Sequence, residues 1–261
     1  MNNYQELINK IRIINRSKKI KVFYFGNTSK KEVPKFYLTN IQENRKFIYF
    51  GAIIFNNSSA TKIAKLVDGK VDFILVDIEK KVISALKNKN EIINIERCVK
   101  DEIKKTKLFT YKGNDLTVQA GETLINYIFV NDKRGVGGKK ILILGSGNVG
   151  FKLALKLVES GADVYLYRRN KKILKKMVFA INSVIPKATV AKARMVDKLG
   201  DDLKQFDVIL GTTNGKSIIN INQVNTFKKD ITVIDIGKGI FKKKALIEAI
   251  NKKINLYRLD V

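Results

Sequence analysis

The stretch KKILILGSGNVGFKLALKLVESGADVYLYRRN, Lys139 to Asn170, decides the fold. An apolar run from Lys140 to Leu144 stops at three glycines, Gly145, Gly147 and Gly150, in the spacing G-x-G-x-x-G. Phe151, Ala154, Leu155 and Val158 then recur at i, i+3, i+4 and i+7, which predicts a helix with one apolar stripe. Gly161 falls where a helix end favours a residue free to take positive φ, and a second apolar run, Asp163 to Tyr167, follows it. Strand, glycine turn, helix and strand in this order make the unit that cradles a dinucleotide. Gly145 permits the tight turn, Gly147 lets backbone N–H groups approach a pyrophosphate, and Gly150 lets the helix pack closely on the strand. The turn Gly145-Ser146-Gly147-Asn148-Val149-Gly150 is therefore the candidate cofactor loop, its anion attracted by the free N–H groups of the helix that opens there.

The second strand runs into Arg168-Arg169-Asn170, where a site for NAD ordinarily carries an acidic residue for the ribose 2′-hydroxyl. Two guanidinium groups there favour a 2′-phosphate, since arginine forks onto phosphate oxygens, so the expected cofactor is NADP. Further apolar runs at Thr189 to Ala193, Val208 to Gly211, Thr232 to Ile236 and Leu256 to Leu259 complete a parallel, doubly wound sheet. Two loops follow those runs at the edge where such sheets bind ligands. Thr212 and Thr213 lie in one and Gly237 with Lys238 in the other, and the small residues leave room for a nicotinamide ring.

Upstream, mixed α/β signals continue: strand candidates are Ile20 to Phe25, Phe47 to Phe50, Phe73 to Ile78 and Leu108 to Tyr111. A helix over Ser59 to Leu66 follows the polar run Asn56-Asn57-Ser58, which is suited to capping. A second, Leu116 to Phe129, spaces Leu116, Ala120, Leu124 and Ile128 by four. The loop NDKRGVGGKK, Asn131 to Lys140, carries three glycines and reads as a linker. Two domains are expected: an α/β substrate and catalytic domain over residues 1–130 and an NADP-binding Rossmann domain over 131–261.

The 261 residues include no histidine and one cysteine, Cys98, which excludes an internal disulfide and leaves acid–base work to Lys, Asp, Glu, Tyr or water. No metal site is expected. No apolar run is long enough to span a bilayer and no secretory signal opens the chain, so a cytoplasmic protein with no membrane partner is expected. The formal charge is +27, from 51 Lys and Arg against 24 Asp and Glu. Basic residues are spread as KK pairs along the whole length rather than grouped with aromatics, which disfavours a nucleic-acid partner. A small-molecule substrate is expected instead, and a homodimer is allowed.

The arrangement resembles the shikimate/quinate dehydrogenase family. In that family an arginine in N-R-T/S after the second dinucleotide-domain strand grips the 2′-phosphate, and Arg169 matches it. The family's catalytic aspartate lies in G-x-N-T-D-G, and Tyr111-Lys112-Gly113-Asn114-Asp115 has the same context. Its catalytic lysine ends N-V-T-x-P-x-K, and Leu75 to Lys81 aligns with it without a gap, so the resemblance implies a catalytic pair of Lys81 and Asp115, 34 positions apart (115 − 81). The substrate serines of the family's S-x-S-P are not matched, Lys31-Glu32-Val33-Pro34 standing there, and the chain stops at Val261 before the family's closing helix. Methylenetetrahydrofolate dehydrogenases and the dehydrogenase of pyrrolysine biosynthesis share the two-domain design. A glutamyl-tRNA reductase likeness is weaker, because nothing around Cys98 supports a nucleophile.

The resemblance implies an NADP-dependent oxidoreductase acting on a small polar, anionic metabolite other than shikimate in a cleft between domains. Lys31, Lys112 and Lys238 are candidate cations for that substrate, with Asn114 beside Asp115. The alternative is a non-catalytic NADP-binding sensor or partner module that kept the glycine turn and lost the substrate pocket.

Overall fold

A computed structural model describes residues 3–27, 36–79, 93–213 and 215–259. The chain divides into two compact units, Met1–Gly113 and Asn114–Val261. The first contains α1 (Asn3–Asn15), β1 (Ile20–Asn27), β2 (Phe36–Leu38), β3 (Gln42–Glu43), β4 (Phe47–Ile54), α2 (Asn57–Val67), β5 (Phe73–Asp77), α3 (Ile95–Glu102) and β6 (Lys107–Tyr111). Its sheet runs β2-β4-β1-β5-β6, with β4, β1, β5 and β6 parallel and β2 and β3 antiparallel to β4. Phe23, Phe25 and Phe50 meet edge to face in its core, beside Leu7, Ile11 and Ile14 of α1. The expected cap of α2 forms: the Asn56 side chain accepts the Ser59 N–H at 2.8 Å.

Beyond it come α4 (Gly113–Ile128), β7 (Lys140–Leu144), α5 (Asn148–Glu159), β8 (Asp163–Tyr167), α6 (Lys171–Val184), β9 (Ala193–Val196), β10 (Val208–Gly211), α7 (Ile221–Asn225), β11 (Thr232–Asp235), α8 (Lys243–Asn251) and β12 (Asn255–Arg258). The six strands are all parallel in the order β9-β8-β7-β10-β11-β12. Numbered within the unit this is 3-2-1-4-5-6, the doubly wound dinucleotide-binding order, whose switch point lies between β7 and β10. The period of two divides each strand between two cores. Ile141 and Ile143 pack with α5 and with Val208 and Leu210, whereas Leu142 and Leu144 pack with Ile209, Val233 and Ile240. Both faces are covered, which is why β7 reads as an unbroken apolar run rather than an alternation.

Five sequence expectations differ from the structure. The α5 stripe is Gly150, Leu153, Ala154, Leu157 and Val158, with Phe151 and Leu155 only flanking it, because the helix is rotated to bring Gly150 onto the turn. On α4 the buried positions are Val118, Gly121 and Ile125, while Leu116 is 51% exposed, so the spacing-by-four stripe is not the packed one. Because Val118 and Ile125 share a core with Ile141 and Leu153, α4 belongs with the second unit. The glycine-rich loop Asn131 to Lys140 is then internal to that unit rather than a linker: Val136 is buried in the same core and the Gly138 N–H donates to the Gly161 carbonyl at 2.8 Å. Finally, the edge strand β9 begins at Ala193 where Thr189 to Ala193 was expected, since Thr189 closes a turn on Pro186.

Two carboxylates brace the sheet. Burial opposes ionisation of Asp207, but the Lys228 ammonium and the Lys140 N–H outweigh it and hold its carboxyl below the usual range. Burial likewise opposes ionisation of Asp163, and Arg194 with the Lys192 N–H outweighs it. A folded pKa lower than the unfolded value contributes stability that is present above the unfolded carboxylate pKa of about 3.9 and lost as pH falls through the folded one. The thermal midpoint is therefore expected to hold from neutral pH to about 4 and fall below it, with Asp207→Asn flattening the decline. A midpoint that does not move on acidification to about pH 3 contradicts this.

Candidate active site

The glycine turn is built at the switch point. Gly145 has φ +98°, a conformation open to glycine, and its N–H donates to the Tyr167 carbonyl at 3.0 Å. A Cβ on Gly150 would lie 2.6 Å from the Gly145 carbonyl oxygen and 2.7 Å from Thr212 Oγ1, so only glycine lets α5 come this close. A Cβ on Gly147 would meet nothing within 4 Å. Gly147 also caps α5 without a side-chain hydrogen bond, which leaves bare backbone facing open space at the helix N-terminus. Such a cradle fits a pyrophosphate, and the residues present therefore fit a dinucleotide.

Ser146 is 1% exposed and its hydroxyl donates to the Tyr167 carbonyl at 3.4 Å, so its side chain serves the turn. Asn148 is exposed and Val149 half-buried against the α5 core. At the end of β8, Arg168 is half-buried and donates through Nη1 to the Ser146 carbonyl, which folds its guanidinium over the turn. Arg169 is exposed and has no hydrogen-bond or ion-pair partner among the described residues. Asn170 is the N-cap of α6, its side chain accepting the Ile173 N–H at 3.1 Å, so that amide oxygen is already in use.

The two loops at the carboxyl ends of β10 and β11 interlock. Thr212 donates its hydroxyl to the Gly145 carbonyl and its N–H to the Leu144 carbonyl at 2.8 Å, tying the loop after β10 to the glycine turn. Thr213 is buried and its hydroxyl donates to the Lys216 carbonyl at 2.9 Å. The Gly237 N–H donates to the Gly211 carbonyl at 2.8 Å, and the Gly215 N–H to the Gly237 carbonyl at 2.9 Å. Both threonines are thus bound into the scaffold. Lys238 is exposed and takes φ +62°, a strained conformation for a side-chain-bearing residue.

Sequence reasoning missed the residue that holds this loop. Asp235 Oδ2 accepts the Gly239 N–H at 2.6 Å and the Ile240 N–H at 3.2 Å, while its Oδ1 is buried with no partner among the described residues. The signal available was an Asp immediately before a G-x-G turn, the kind of residue whose short side chain caps nearby N–H groups. A polar group at the carboxyl edge of the first unit's sheet was missed as well. Asn27, 8% exposed at the end of β1, donates to the Glu79 carbonyl at 2.7 Å and leaves its Oδ1 buried with no partner among the described residues. Beside it Asp77, 3% exposed, accepts the Glu79 N–H at 3.0 Å.

Asp115 lies in the first turn of α4, which starts at Gly113. Its carboxylate forms an ion pair with Lys152, one turn into α5, and a second α4–α5 pair joins Glu122 to Lys156 at 2.6 Å. Lys152 is a lysine partner that the sequence reading did not consider. Lys81 and Lys31 lie outside the described residues. Lys112 is exposed and Asn114 half-buried beside Asp115. Cys98 sits on α3, where burial pushes its thiol pKa up, against a nucleophilic role. No metal-binding group of Cys, Asp and Glu is present among the described residues, and none of the described helices is long and apolar enough to cross a membrane.

Strand order, glycine turn and a helix N-terminus without a side-chain cap together define a dinucleotide-binding unit. The chain belongs to the family described as D-isomer specific 2-hydroxyacid dehydrogenase, NAD binding domain, which matches residues 117–261, more than half of its length. The match supports a dehydrogenase, the class that the shikimate/quinate resemblance implies. Similar solved structures include L-tryptophan dehydrogenase from Nostoc punctiforme, at 12% identity over 92% of this chain and 70% of that one, with a TM-score of 0.50. Shikimate dehydrogenase from Aquifex aeolicus is 19% identical over 93% and 87%, with a TM-score of 0.49. The A chain of dipicolinate synthase from Bacillus subtilis is 12% identical over 93% and 88%, with a TM-score of 0.45. At such identities the tryptophan dehydrogenase likeness concerns the fold alone. No curated protein matches the sequence.

Proposed function

We propose that the protein is an NADP-dependent dehydrogenase that moves a hydride between the nicotinamide and a small polar, anionic metabolite. The observation that carries the reading is the end of β8, where Arg168 is anchored over the glycine turn and Arg169 is left without a partner among the described residues. The bare backbone at Gly147 and the first N–H groups of α5 hold the pyrophosphate, and Arg169 forks onto the 2′-phosphate. Arg168, already bound to Ser146, keeps the turn rigid and stacks at the adenosine side. The nicotinamide, when bound, supplies the hydride acceptor or donor. Lys238 presents an ammonium to an anionic substrate from the loop that Asp235 pins.

Asp115 takes or returns the proton of the reacting group, and Lys81, outside the described residues, is the catalytic lysine that the family resemblance pairs with it. This role separates cleanly from a structural one. Both partners of the Asp115–Lys152 pair are more than a third exposed at the side chain, and exposed pairs contribute only about 0–1 kcal/mol. Asp115→Asn is therefore expected to leave the thermal midpoint nearly unchanged while lowering turnover roughly 100-fold or more, the range of general acid–base catalysis. Equal loss of stability and activity assigns Asp115 to the α4–α5 brace alone.

The experiment for the reading as a whole is a panel of 2-hydroxy, 2-amino and cyclic hydroxy acids offered with NADP+, followed by absorbance of the reduced cofactor. Reduction with at least one member is expected. Tight NADPH binding with no turnover on any member favours the cofactor-sensor alternative, and failure to bind NADPH removes both.

A further inference from the structure

We infer that the exposed face of α6 docks on an anionic lipid bilayer. Between Asp163 and Asp197 the chain carries nine Lys and Arg residues and no Asp or Glu. Elsewhere many cations are neutralised locally, as in the pairs Lys19–Glu43, Lys100–Glu96, Lys139–Asp132 and Lys156–Glu122. In this stretch the pattern differs. Arg194 pairs with Asp163, and Arg168 and Lys171 donate to backbone carbonyls. Lys172, Lys175, Lys176 and Lys187 have no hydrogen-bond or ion-pair partner among the described residues.

Helical spacing places Lys172, Lys175, Lys176 and Phe179 on the side of α6 opposite its buried Leu174 and Ile181. Phe179 is 74% exposed, and Val184 at the helix end and Val190 just beyond are 63% and 91% exposed. An exposed aromatic side chain among lysines that have no partner in the described residues, with exposed valines at the helix end and after it, suits a bilayer surface: the apolar groups enter the acyl boundary and the ammonium groups meet the headgroup charge. Nucleic acid would make use of the same charge but not of the aliphatics. Single strands are held by stacking on aromatic rings, of which α6 exposes one, and valine against phosphate gains nothing. Lysine, a compact charge rather than a fork, suits a diffuse anionic field.

The test is co-sedimentation of the full-length protein with vesicles of mixed phosphatidylglycerol and phosphatidylcholine, with phosphatidylcholine vesicles and poly(U) RNA as the other arms. Binding to the anionic vesicles alone is expected, weakened by salt. At about 1 kcal/mol for each lysine near the surface, Lys175→Gln with Lys176→Gln should weaken it about 30-fold. Phe179→Ser, which alters no charge, should weaken it as well while leaving the thermal midpoint unchanged. No vesicle binding, vesicle binding indifferent to both variants, or tighter binding to poly(U) than to the vesicles overturns the proposal.

Discussion

Gly237→Ala is expected to destabilise the second unit by more than about 3 kcal/mol, beyond the usual cost of one extra methyl in a packed region. The added Cβ would lie 1.9 Å from the Thr213 carbonyl oxygen and 2.6 Å from the Thr213 nitrogen. Both are backbone atoms, so no side chain can swing aside. Nor can the backbone yield cheaply, because the Thr213 hydroxyl is bound to Lys216 and Gly237 itself is hydrogen-bonded to Gly211 and Gly215. Against a total stability of about 5–15 kcal/mol such a loss is severe. Urea denaturation should show a transition at much lower denaturant than wild type; a transition at an unchanged midpoint would mean that the two loops are not interlocked as described.

Gly147→Val has the opposite signature. Its Cβ would meet no atom within 4 Å, and φ there is −86°, which any residue adopts. Stability should change by less than about 1 kcal/mol, mostly from β-branching at a helix cap. The side chain instead occupies the space that a pyrophosphate needs, so NADPH affinity should fall about 100-fold or more, about 2.7 kcal/mol. Calorimetric titration alongside thermal melting checks both halves. A variant that melts normally and still binds NADPH as wild type does would remove the pyrophosphate from the turn.

Much of this was legible in the amino-acid order because local rules and global fold agree there. The apolar run of β7 forms its strand, Gly145 and Gly161 take positive φ, and Gly150 allows the close approach of α5 to the turn. The rotation of α5 was not legible: Phe151 and Leu155 are as apolar as Leu153 and Leu157, and only the contact of Gly150 with the Gly145 carbonyl decides which pair turns inward. The allegiance of α4 was hidden for a similar reason, since apolar residues line two sides of it and packing selects Val118, Gly121 and Ile125. Lys152 escaped notice as a partner of Asp115 because the two are far apart in the chain and lysine is abundant throughout it. Asp235 escaped because its role is set by hydrogen bonds to Gly239 and Ile240, which spacing does not display.

The central claim is that a 2′-phosphate lodges at the end of β8, and titrating NADPH and NADH against wild type and Arg169→Ala tests it most directly. Wild type should prefer NADPH, and Arg169→Ala should weaken NADPH roughly 10- to 100-fold, the worth of a charged hydrogen-bonded contact of about 1.5–3 kcal/mol, while leaving NADH unchanged. Equal weakening of both cofactors, or tighter binding of NADH by wild type, would contradict it.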